Sequence, residues 1–243
     1  MAQSRKIYGV WMELFYCDPS KVKDSRIELD DFESKHIART LRKKSGDPLV
    51  LCDGKGHKLS GHIAALKPRV CVDIETSVSV PPASPRVEIA MGFIRPQRLE
   101  WALEKATELG AAGVHLIRTG HSGYFSDNRE RFNKILRQAM KQNLRYHLPE
   151  LHLYPSLADF LKTLPAARIK CMAVDPHSPP LARFLEGWDR EKPLLYLVGP
   201  EGGLSDNETA LLSAAGFSDV SLGAYRLRAE TAVIAGLSLL MLK

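Results

Sequence analysis

Cysteine is scarce in this sequence, with four residues among 243. Cys17, Cys52, Cys71 and Cys171 form no C-x-x-C pair, and no histidine stands beside them at zinc-finger spacing. Because structural zinc sites usually draw their ligands from such close pairs, we expect no bound metal. Scattered thiols of this kind are typical of proteins in a reducing compartment, which indicates a cytoplasmic location.

Long hydrophobic runs are also missing. The longest, TAVIAGLSLLML at Thr231–Leu242, is too short to cross a bilayer, so we expect a buried helix or part of a subunit interface. The first residues, MAQSRKIYGVWMELFY, contain no uninterrupted apolar stretch of the kind found in signal peptides. The sequence therefore predicts neither a membrane segment nor a signal peptide.

Several familiar catalytic motifs are absent as well. The chain has no G-x-x-x-x-G-K-[ST] loop, no G-x-S-x-G turn and no H-E-x-x-H array. A phosphate loop of the first kind needs its lysine to reach the phosphates of a bound nucleotide. Its absence disfavours a nucleotide hydrolase.

The charge that is present is mostly positive. Lysine and arginine total 34 against 28 acidic residues, which gives a net charge of +6, and 44% of the residues are hydrophobic. These proportions are ordinary for a folded soluble protein. The basic excess favours a polyanionic partner such as RNA, with a slightly basic enzyme as an equal alternative.

The first part of the chain, up to about residue 80, has the pattern of short strands. LVLC at Leu49–Cys52 precedes a DGKG turn whose glycines suit a tight hairpin, and alternating residues around Val72 indicate another strand. One helix is predicted at Phe32–Lys44. Four basic residues would share one face of it, as a phosphate-contacting stripe or simply a solvated face: Lys35, Arg39, Arg42 and Lys43.

A Pro- and Ser-rich segment, SVSVPPASP at Ser77–Pro85, predicts a linker between two domains. Beyond it, strand and helix patterns alternate, which favours a mostly parallel α/β sheet. Helices are predicted after Pro96, ending at Gly110, and at about 129–145, 206–215 and 230–242. The helix at 129–145 carries a basic stripe that favours a polyanionic partner: Lys134, Arg137, Lys141 and Arg145.

Two glycine-containing turns follow predicted strands near the C-terminus. LVGPEGGLSDNE at Leu197–Glu208 ends in a capping box, Ser205 with Glu208, that begins a helix. Glu201 would repel a phosphate inside this turn, but it suits a ligand with positive charge. LGAYRLRAET at Leu222–Thr231 offers Arg226 and Arg228 on one side of the chain. Both turns predict ligand contacts, because ligands bind beyond the carboxyl ends of parallel strands.

These motifs, with LEKATELG and SKHIARTLRKKSGD followed by DGKG, resemble the ribosomal RNA small subunit methyltransferase E family, a SPOUT-class family. The resemblance implies a fold of class α/β, with a PUA-like RNA-binding β-barrel at 1–78. It also implies a SPOUT methyltransferase domain at 86–243, with a deep trefoil knot at about 195–231. The implied reaction is methylation of N3 of a specific uridine in 16S ribosomal RNA of the small subunit. The implied methyl donor is S-adenosylmethionine, and the implied assembly is a homodimer.

The resemblance also assigns roles to residues of this sequence. It gives Arg228 the leading catalytic role, as a permanently charged group that orients the base or stabilises negative charge. Glu230 would position Arg228 or favour the start of the last helix, and Arg226 joins the two basic stripes as an RNA-binding residue. The donor pocket would comprise Leu197, Val198, Gly199, Pro200, Glu201, Gly202, Gly203, Ser221, Leu222, Gly223, Leu227 and Thr231.

Four positions depart from the family pattern. Many members have arginine where this chain has Tyr225 or His121, threonine at Ala229 and glutamate at Lys141. These departures concern RNA contacts more than the reaction, because the donor-loop residues are intact. The alternative function is an RNA-binding or ribosome-assembly factor with a vestigial donor pocket.

Overall fold

The computed structural model of this protein describes residues 6–7, 10–11, 13–165 and 168–242. These residues belong to two units. The first unit comprises the chain up to Pro82 together with Arg137–Leu148. The second comprises Ala83–Leu136 and Pro149–Lys243.

The first unit is built mainly from strands, as its sequence predicts. Two short antiparallel strands are β1 (Lys6–Ile7) and β2 (Val10–Trp11). A six-stranded sheet comprises β3 (Leu14–Tyr16), β4 (Val22–Lys23), β5 (Arg26–Glu28), β6 (Pro48–Cys52), β7 (His57–Ala65) and β8 (Cys71–Ser79). Its order is β3-β6-β7-β8-β5-β4, and every neighbouring pair is antiparallel except the parallel pair β3 and β6. Because β8 runs to Ser79, the first three residues of the predicted linker are strand rather than loop.

The connection from β6 to β7 is the predicted DGKG turn. Gly54 and Gly56 have positive φ angles of 73° and 96°, a region that glycine adopts at little cost. The Asp53 carboxylate accepts hydrogen bonds from the backbone N–H groups of Lys55 and His57 at 2.8 and 3.1 Å. The turn prediction is therefore confirmed.

The helix predicted at Phe32–Lys44 is shorter than expected. Helix α1 (Asp31–Lys35) begins after Asp30, whose carboxylate caps the N–H of Glu33, and it continues as one wider turn at His36–Thr40. The N–H of Leu41 donates to the carbonyl of His36, five residues back, and Arg42 then has a positive φ of 54°. The predicted extent is wrong, so Arg42 and Lys43 do not continue the helix face that carries Lys35 and Arg39.

The second unit contains a six-stranded sheet in which every neighbouring pair is parallel. Its strands are β9 (Val87–Gly92), β10 (Gly113–Ile117), β11 (Glu150–Tyr154), β12 (Ile169–Ala173), β13 (Leu194–Val198) and β14 (Ser218–Val220). The order is β11-β10-β9-β13-β12-β14, with the three central strands β10, β9 and β13 buried along their full length. The predicted parallel α/β sheet is confirmed, although no strand was predicted at β11.

Six helices accompany this sheet along the chain: α2 (Pro96–Leu109), α3 (Arg129–Gln142), α4 (Leu157–Lys162), α5 (Leu181–Glu186), α6 (Asp206–Ala214) and α7 (Ala229–Leu242). Helix α2 ends at Gly110, which has a φ of 107°, as predicted. Helix α3 ends three residues before its predicted end, so Arg145 lies beyond it. None of these helices, nor any other among the described residues, is long and apolar enough to cross a membrane.

Close packing fixes the last helix on the sheet. A Cβ atom on Gly236 of α7 would lie 2.4 Å from Cζ of Tyr196, so only glycine leaves room for this ring. The Tyr196 hydroxyl donates to the carbonyl of Ala232 at 3.0 Å. The buried helix predicted from the C-terminal apolar run is therefore confirmed, and its first turn is tied to the middle of β13 by this hydrogen bond.

Candidate functional site

A cavity of about 540 Å³ lies in the second unit, beyond the carboxyl ends of β12, β13 and β14. Because β12 is parallel to both other strands, with Ala173 opposite Val198 and Val220, the segments that follow them emerge side by side. This is the usual place for a ligand in a parallel sheet. The lining consists of residues 173–176, 198–204, 220–223 and 225–229, together with Arg98 and Ala232.

The first wall is the turn after β13. Gly203 has a φ of 77°, and a Cβ atom on Gly199 would approach the Cγ atom of Leu204 to 3.1 Å. Helix α6 then begins with the predicted capping box, in which the Ser205 N–H donates to Oε2 of Glu208 at 2.9 Å. Oε1 of the same carboxylate accepts from the Gly120 N–H at 2.8 Å. The turn is therefore tied both to its own helix and to the loop after β10.

The capping glutamate is held in its charged form. Partial burial would raise the pKa of Glu208, but hydrogen bonds from the backbone N–H groups of Ser205 and Gly120 outweigh it and lower the pKa. His121 contacts the same turn, with its Nδ1 atom 3.1 Å from the carbonyl oxygen of Gly203. His121 thus has a place beside the turn although its side chain does not line the cavity.

The second wall is the loop between β14 and α7. Gly223 has a φ of 132°, which side-chain-bearing residues rarely adopt. The residues that follow are exposed, and they include Tyr225, Arg226 and Arg228 on the cavity lining. Helix α7 begins immediately after Arg228. This wall therefore presents two positive charges and one aromatic ring.

The third wall, at 173–176, was not identified from the sequence. It follows β12, and its one acidic residue, Asp175, is exposed at the cavity. One carboxylate oxygen accepts from the backbone N–H of His177 at 2.7 Å, and no salt bridge to Asp175 is present within the described part of the chain. A signal existed in the sequence, because the apolar run IKCMAV at Ile169–Val174 has the pattern of a buried strand and ends at this segment.

Arg98, on the first turn of α2, is another residue that the motifs did not reveal. It forms a salt bridge with Glu201, and Arg95 lies 3.8 Å from the other oxygen of that carboxylate. Nε of Arg98 is also 3.7 Å from Oε1 of Glu230 on α7. Glu201 therefore faces two arginines. Their positive charges offset the negative charge of Glu201, which we expected to attract a cationic ligand.

All the predicted donor-site residues lie on the cavity except Leu197 and Thr231, and the predicted catalytic residue Glu230 is also absent from its lining. Leu197 is 2% exposed and packs in the core beside the sheet, because it is the penultimate residue of a buried strand. Thr231 is an exposed residue in the first turn of α7, away from the lining. Glu230 is buried next to Arg98, and its Oε2 atom has no hydrogen-bond partner among the described residues.

The basic residues of α3 and its continuation do not form an open stripe. Lys141 forms a salt bridge with Glu33, and its Nζ atom lies 5.3 Å from the centre of the Phe32 ring. The Arg137 guanidinium lies 4.7 Å from the ring centre of Tyr16. Burial lowers the pKa of Arg145, while Lys134 is exposed. RNA binding by these residues stays a prediction.

The other basic cluster is more open to solvent. Lys35, Arg39 and Arg42 are exposed, whereas Lys43 is half-buried and lies 3.8 Å from a carboxylate oxygen of Glu13. Within the ranges that the structure describes, no group of three or more His, Cys, Asp or Glu side chains could hold a metal ion.

Comparisons with known proteins agree with this geometry. A family model described as an RNA methyltransferase domain matches residues 82–241. The chain is 27% identical over 223 residues to ribosomal RNA small subunit methyltransferase E of Bacillus subtilis, covering 85% of this chain and 86% of that protein.

Two solved structures are similar along nearly the whole chain. A probable rRNA-methyltransferase from Porphyromonas gingivalis is 31% identical, with a TM-score of 0.82 and coverage of 94% of this chain and 96% of that one. A methyltransferase from Legionella pneumophila, solved in complex with the bound cofactor SAM, is 28% identical, with a TM-score of 0.83 and coverage of 95% and 97%. The resemblance noted in the sequence is confirmed: the chain belongs to the ribosomal RNA small subunit methyltransferase E family.

Proposed function

We propose that this protein transfers a methyl group from S-adenosylmethionine to N3 of a specific uridine in 16S ribosomal RNA of the small subunit. The observation that carries the proposal is the cavity beyond β12–β14, which both C-terminal motifs line. It lies inside the segment that matches the RNA methyltransferase family model. A volume of about 540 Å³ also suits a ligand of the donor's size.

The residues on the cavity fit this donor. Backbone groups of Leu222, Gly223 and Leu227 would read the adenine edge. Gly199 and Gly202 would leave room for the ribose and the methionine arm, because neither places a side chain in the cavity. The walls are completed by the other predicted pocket residues that line the cavity: Val198, Pro200, Glu201, Gly203 and Ser221.

The donor's positive charge needs a nearby anion that no arginine already neutralises. Asp175 meets this requirement better than Glu201, because Glu201 faces Arg98 and Arg95. We propose that the Asp175 carboxylate attracts the positively charged sulfonium group of the donor. When bound, S-adenosylmethionine supplies an electrophilic methyl group.

The reaction needs a nucleophilic N3 atom, so N3 of uracil must give up its proton to water as the N–C bond forms and the sulfur–methyl bond breaks. Arginine stays protonated at neutral pH and cannot accept that proton. Arg228, exposed on the cavity beside α7, would instead bind a uracil carbonyl oxygen and stabilise the negative charge that develops there. Glu230 is a positioning residue in this scheme, because its carboxylate faces Arg98.

The two units would have different functions. We propose that residues 1–78 form a PUA-like barrel that holds RNA, and that residues 86–243 form a SPOUT domain knotted at about 195–231. Lys35, Arg39, Arg42, Lys43, Lys134, Arg137, Lys141, Arg145 and Arg226 would contact the RNA. A cytoplasmic homodimer is part of the same proposal. Family membership supports these assignments, together with the separate strand-rich and parallel-sheet units.

Donor binding and methyl transfer test the proposal separately. Calorimetry should show S-adenosylmethionine binding and competition by S-adenosylhomocysteine. ATP should not compete, because the chain has no G-x-x-x-x-G-K-[ST] loop to hold its phosphates. Radiolabelled donor should then label small-subunit RNA from cells that lack this protein, but not RNA from cells that contain it. Donor binding without transfer to that RNA, free or in assembled subunits, would favour the assembly-factor alternative. The absence of donor binding would refute the proposed cofactor.

A further inference from the structure

Tyr225 stands apart from the other large hydrophobic residues that the structure describes. It is 85% exposed, more than any of them, although it belongs to the lining of the cavity. No hydrogen bond or ring contact joins its side chain to another described residue. The ring therefore stands in solvent at the mouth of the site.

A single exposed apolar side chain is common on protein surfaces and needs no explanation by itself. The composition of this cavity makes Tyr225 different, because no other lining residue among those described is aromatic. A flat ligand that enters from solvent thus has one aromatic face available to it on this chain. Gly223, with its φ of 132°, shapes the loop just before that ring.

The neighbours of Tyr225 indicate which flat ligand this is. Arg226 and Arg228 are exposed on the same loop and line the same cavity, so the ring and two positive charges border one pocket. Proteins read unpaired RNA by stacking bases on aromatic rings while cationic side chains contact the phosphates. An aromatic ring next to two arginines matches that chemistry.

We propose that Tyr225 is the platform on which an unpaired RNA base stacks at the mouth of the cavity. The inference rests on the proposed function and identifies a positioning residue for its RNA substrate. Stacking is sequence-tolerant, because every base has a π face. Tyr225 thus holds the base over the pocket, and Arg228 contacts the atoms that react.

Three substitutions separate stacking from other roles. Tyr225→Phe keeps the ring and serves as the matched control, Tyr225→Leu keeps apolar bulk without a ring, and Tyr225→Ala removes both. RNA affinity is measured by filter binding with unmodified small-subunit RNA and saturating S-adenosylhomocysteine. Donor affinity is measured by calorimetry, KM and kcat by methyl transfer, and oligomeric state by sedimentation.

We expect the phenylalanine variant to match the wild type, and the leucine and alanine variants to bind RNA about 5- to 150-fold more weakly. KM for RNA should rise by the same factor, with donor affinity and sedimentation unchanged. Wild-type RNA affinity in the leucine variant would overturn the proposal. So would a parallel loss of donor affinity, which indicates a contact with the donor's adenine, or a change of oligomeric state, which indicates a subunit contact.

The failure of this inference can be told from failure of the proposed function. If the wild type transfers no methyl group, the methyltransferase proposal fails, while the RNA-affinity comparison among the variants still decides whether Tyr225 stacks. If the wild type transfers methyl groups and all variants bind RNA alike, only the stacking role fails.

Discussion

Arg226 and Arg228 are two residues apart on the same loop, yet we expect them to have different roles. Both are exposed on the cavity, but Arg228 directly precedes helix α7, whose first turn is hydrogen-bonded to β13. We expect Arg228→Ala to keep donor affinity within a few-fold and to lower kcat about 100-fold, as for loss of a transition-state donor. Arg226→Ala should raise KM for RNA and leave kcat nearly unchanged. The check is steady-state methyl transfer with calorimetry on both variants, and full turnover by Arg228→Ala would contradict the catalytic role.

Asp175 and Glu201 form a second matched pair. The Asp175 carboxylate is exposed at the cavity without a salt bridge to any described residue, whereas Glu201 faces Arg98 and Arg95. Asp175→Asn should weaken binding of S-adenosylmethionine about 5-fold more than binding of neutral-sulfur S-adenosylhomocysteine, since one unit charge near a partly exposed site is worth about 1 kcal/mol. Glu201→Gln should change both affinities equally. Calorimetry with the two ligands makes the comparison, and equal losses in Asp175→Asn would show that the charge is not used.

At the residue scale, the sequence allowed the glycine turns and both arginines of the second turn to be predicted. Gly203, Gly223 and Ser205 have recognisable local roles, because a positive φ or a capping box depends on neighbouring residues. Arg98 and Asp175 could not be found this way. They reach the site from segments far away in the sequence, and their roles follow from which strand ends lie side by side.

At the scale of elements, a buried charge cluster joins strands of the parallel sheet. Glu88 on β9 is 3% exposed and accepts hydrogen bonds from His115 on β10 at 2.8 Å and from Arg86 at 3.1 Å. Arg168, just before β12, donates to the same carboxylate. Burial would raise the pKa of Glu88, but the hydrogen bonds from His115 and Arg168 outweigh it and lower the pKa to about 2.

This cluster gives the sheet a defined dependence on pH. The pKa of Glu88 is lower in the folded protein than its unfolded value of about 4.3, so its ionised form stabilises the fold above that pH. That stabilisation is lost as the pH falls through about 2. Glu88→Gln should cost about 3 kcal/mol at neutral pH, because it removes the carboxylate partner of the largely buried Arg168 and of buried His115. The difference in melting temperature from the wild type should shrink on acidification, while exposed Glu191→Gln shows no difference at any pH. A difference in melting temperature between Glu88→Gln and the wild type that stays constant down to pH 2 would contradict the stabilising role of ionised Glu88.

Element boundaries were predictable where a local signal marks them. Helix α2 begins at Pro96 and ends at Gly110 as the sequence predicts, because proline suits a first turn and glycine suits a left-handed end. The helix predicted at Phe32–Lys44 and helix α3 both end earlier than predicted. Shortly after each end lies a residue other than glycine with a positive φ angle, Arg42 in one case and Leu144 in the other. No sequence rule identified these two ends, because the residues found there usually continue a helix.

At the scale of the whole molecule, a net charge of +6 predicts that the proposed RNA binding weakens with salt. The structure distinguishes basic residues that are open to RNA from those already paired. Arg39 is exposed, so Arg39→Ala should lower RNA affinity and reduce the slope of log affinity against log salt by about one. Lys141 is paired with Glu33, so Lys141→Ala should change the slope less. Filter binding across a salt series measures both, and equal slopes for Arg39→Ala and the wild type would remove Arg39 from the interface.

The overall class of the molecule was predictable from strand and helix rhythm, but the inclusion of a segment from the middle of the chain in the first unit was not. Arg137–Leu148 belong to the first unit although they follow more than fifty residues of the second. Leu14, Cys52 and Met140 form one buried cluster there, which explains the grouping. A contact of this kind joins residues that no local pattern connects.

The central claim is methylation of N3 of one uridine in small-subunit RNA. Methylation at N3 removes the N–H that pairs with adenine, so reverse transcriptase stops there and mass spectrometry detects the added methyl group. The decisive measurement compares 16S RNA from cells with and without the gene, and from cells complemented with wild type or Arg228→Ala. We expect one uridine to lose its N3-methyl group in the deletion strain, with restoration by the wild type alone. Identical N3 methylation in all four strains would contradict the account.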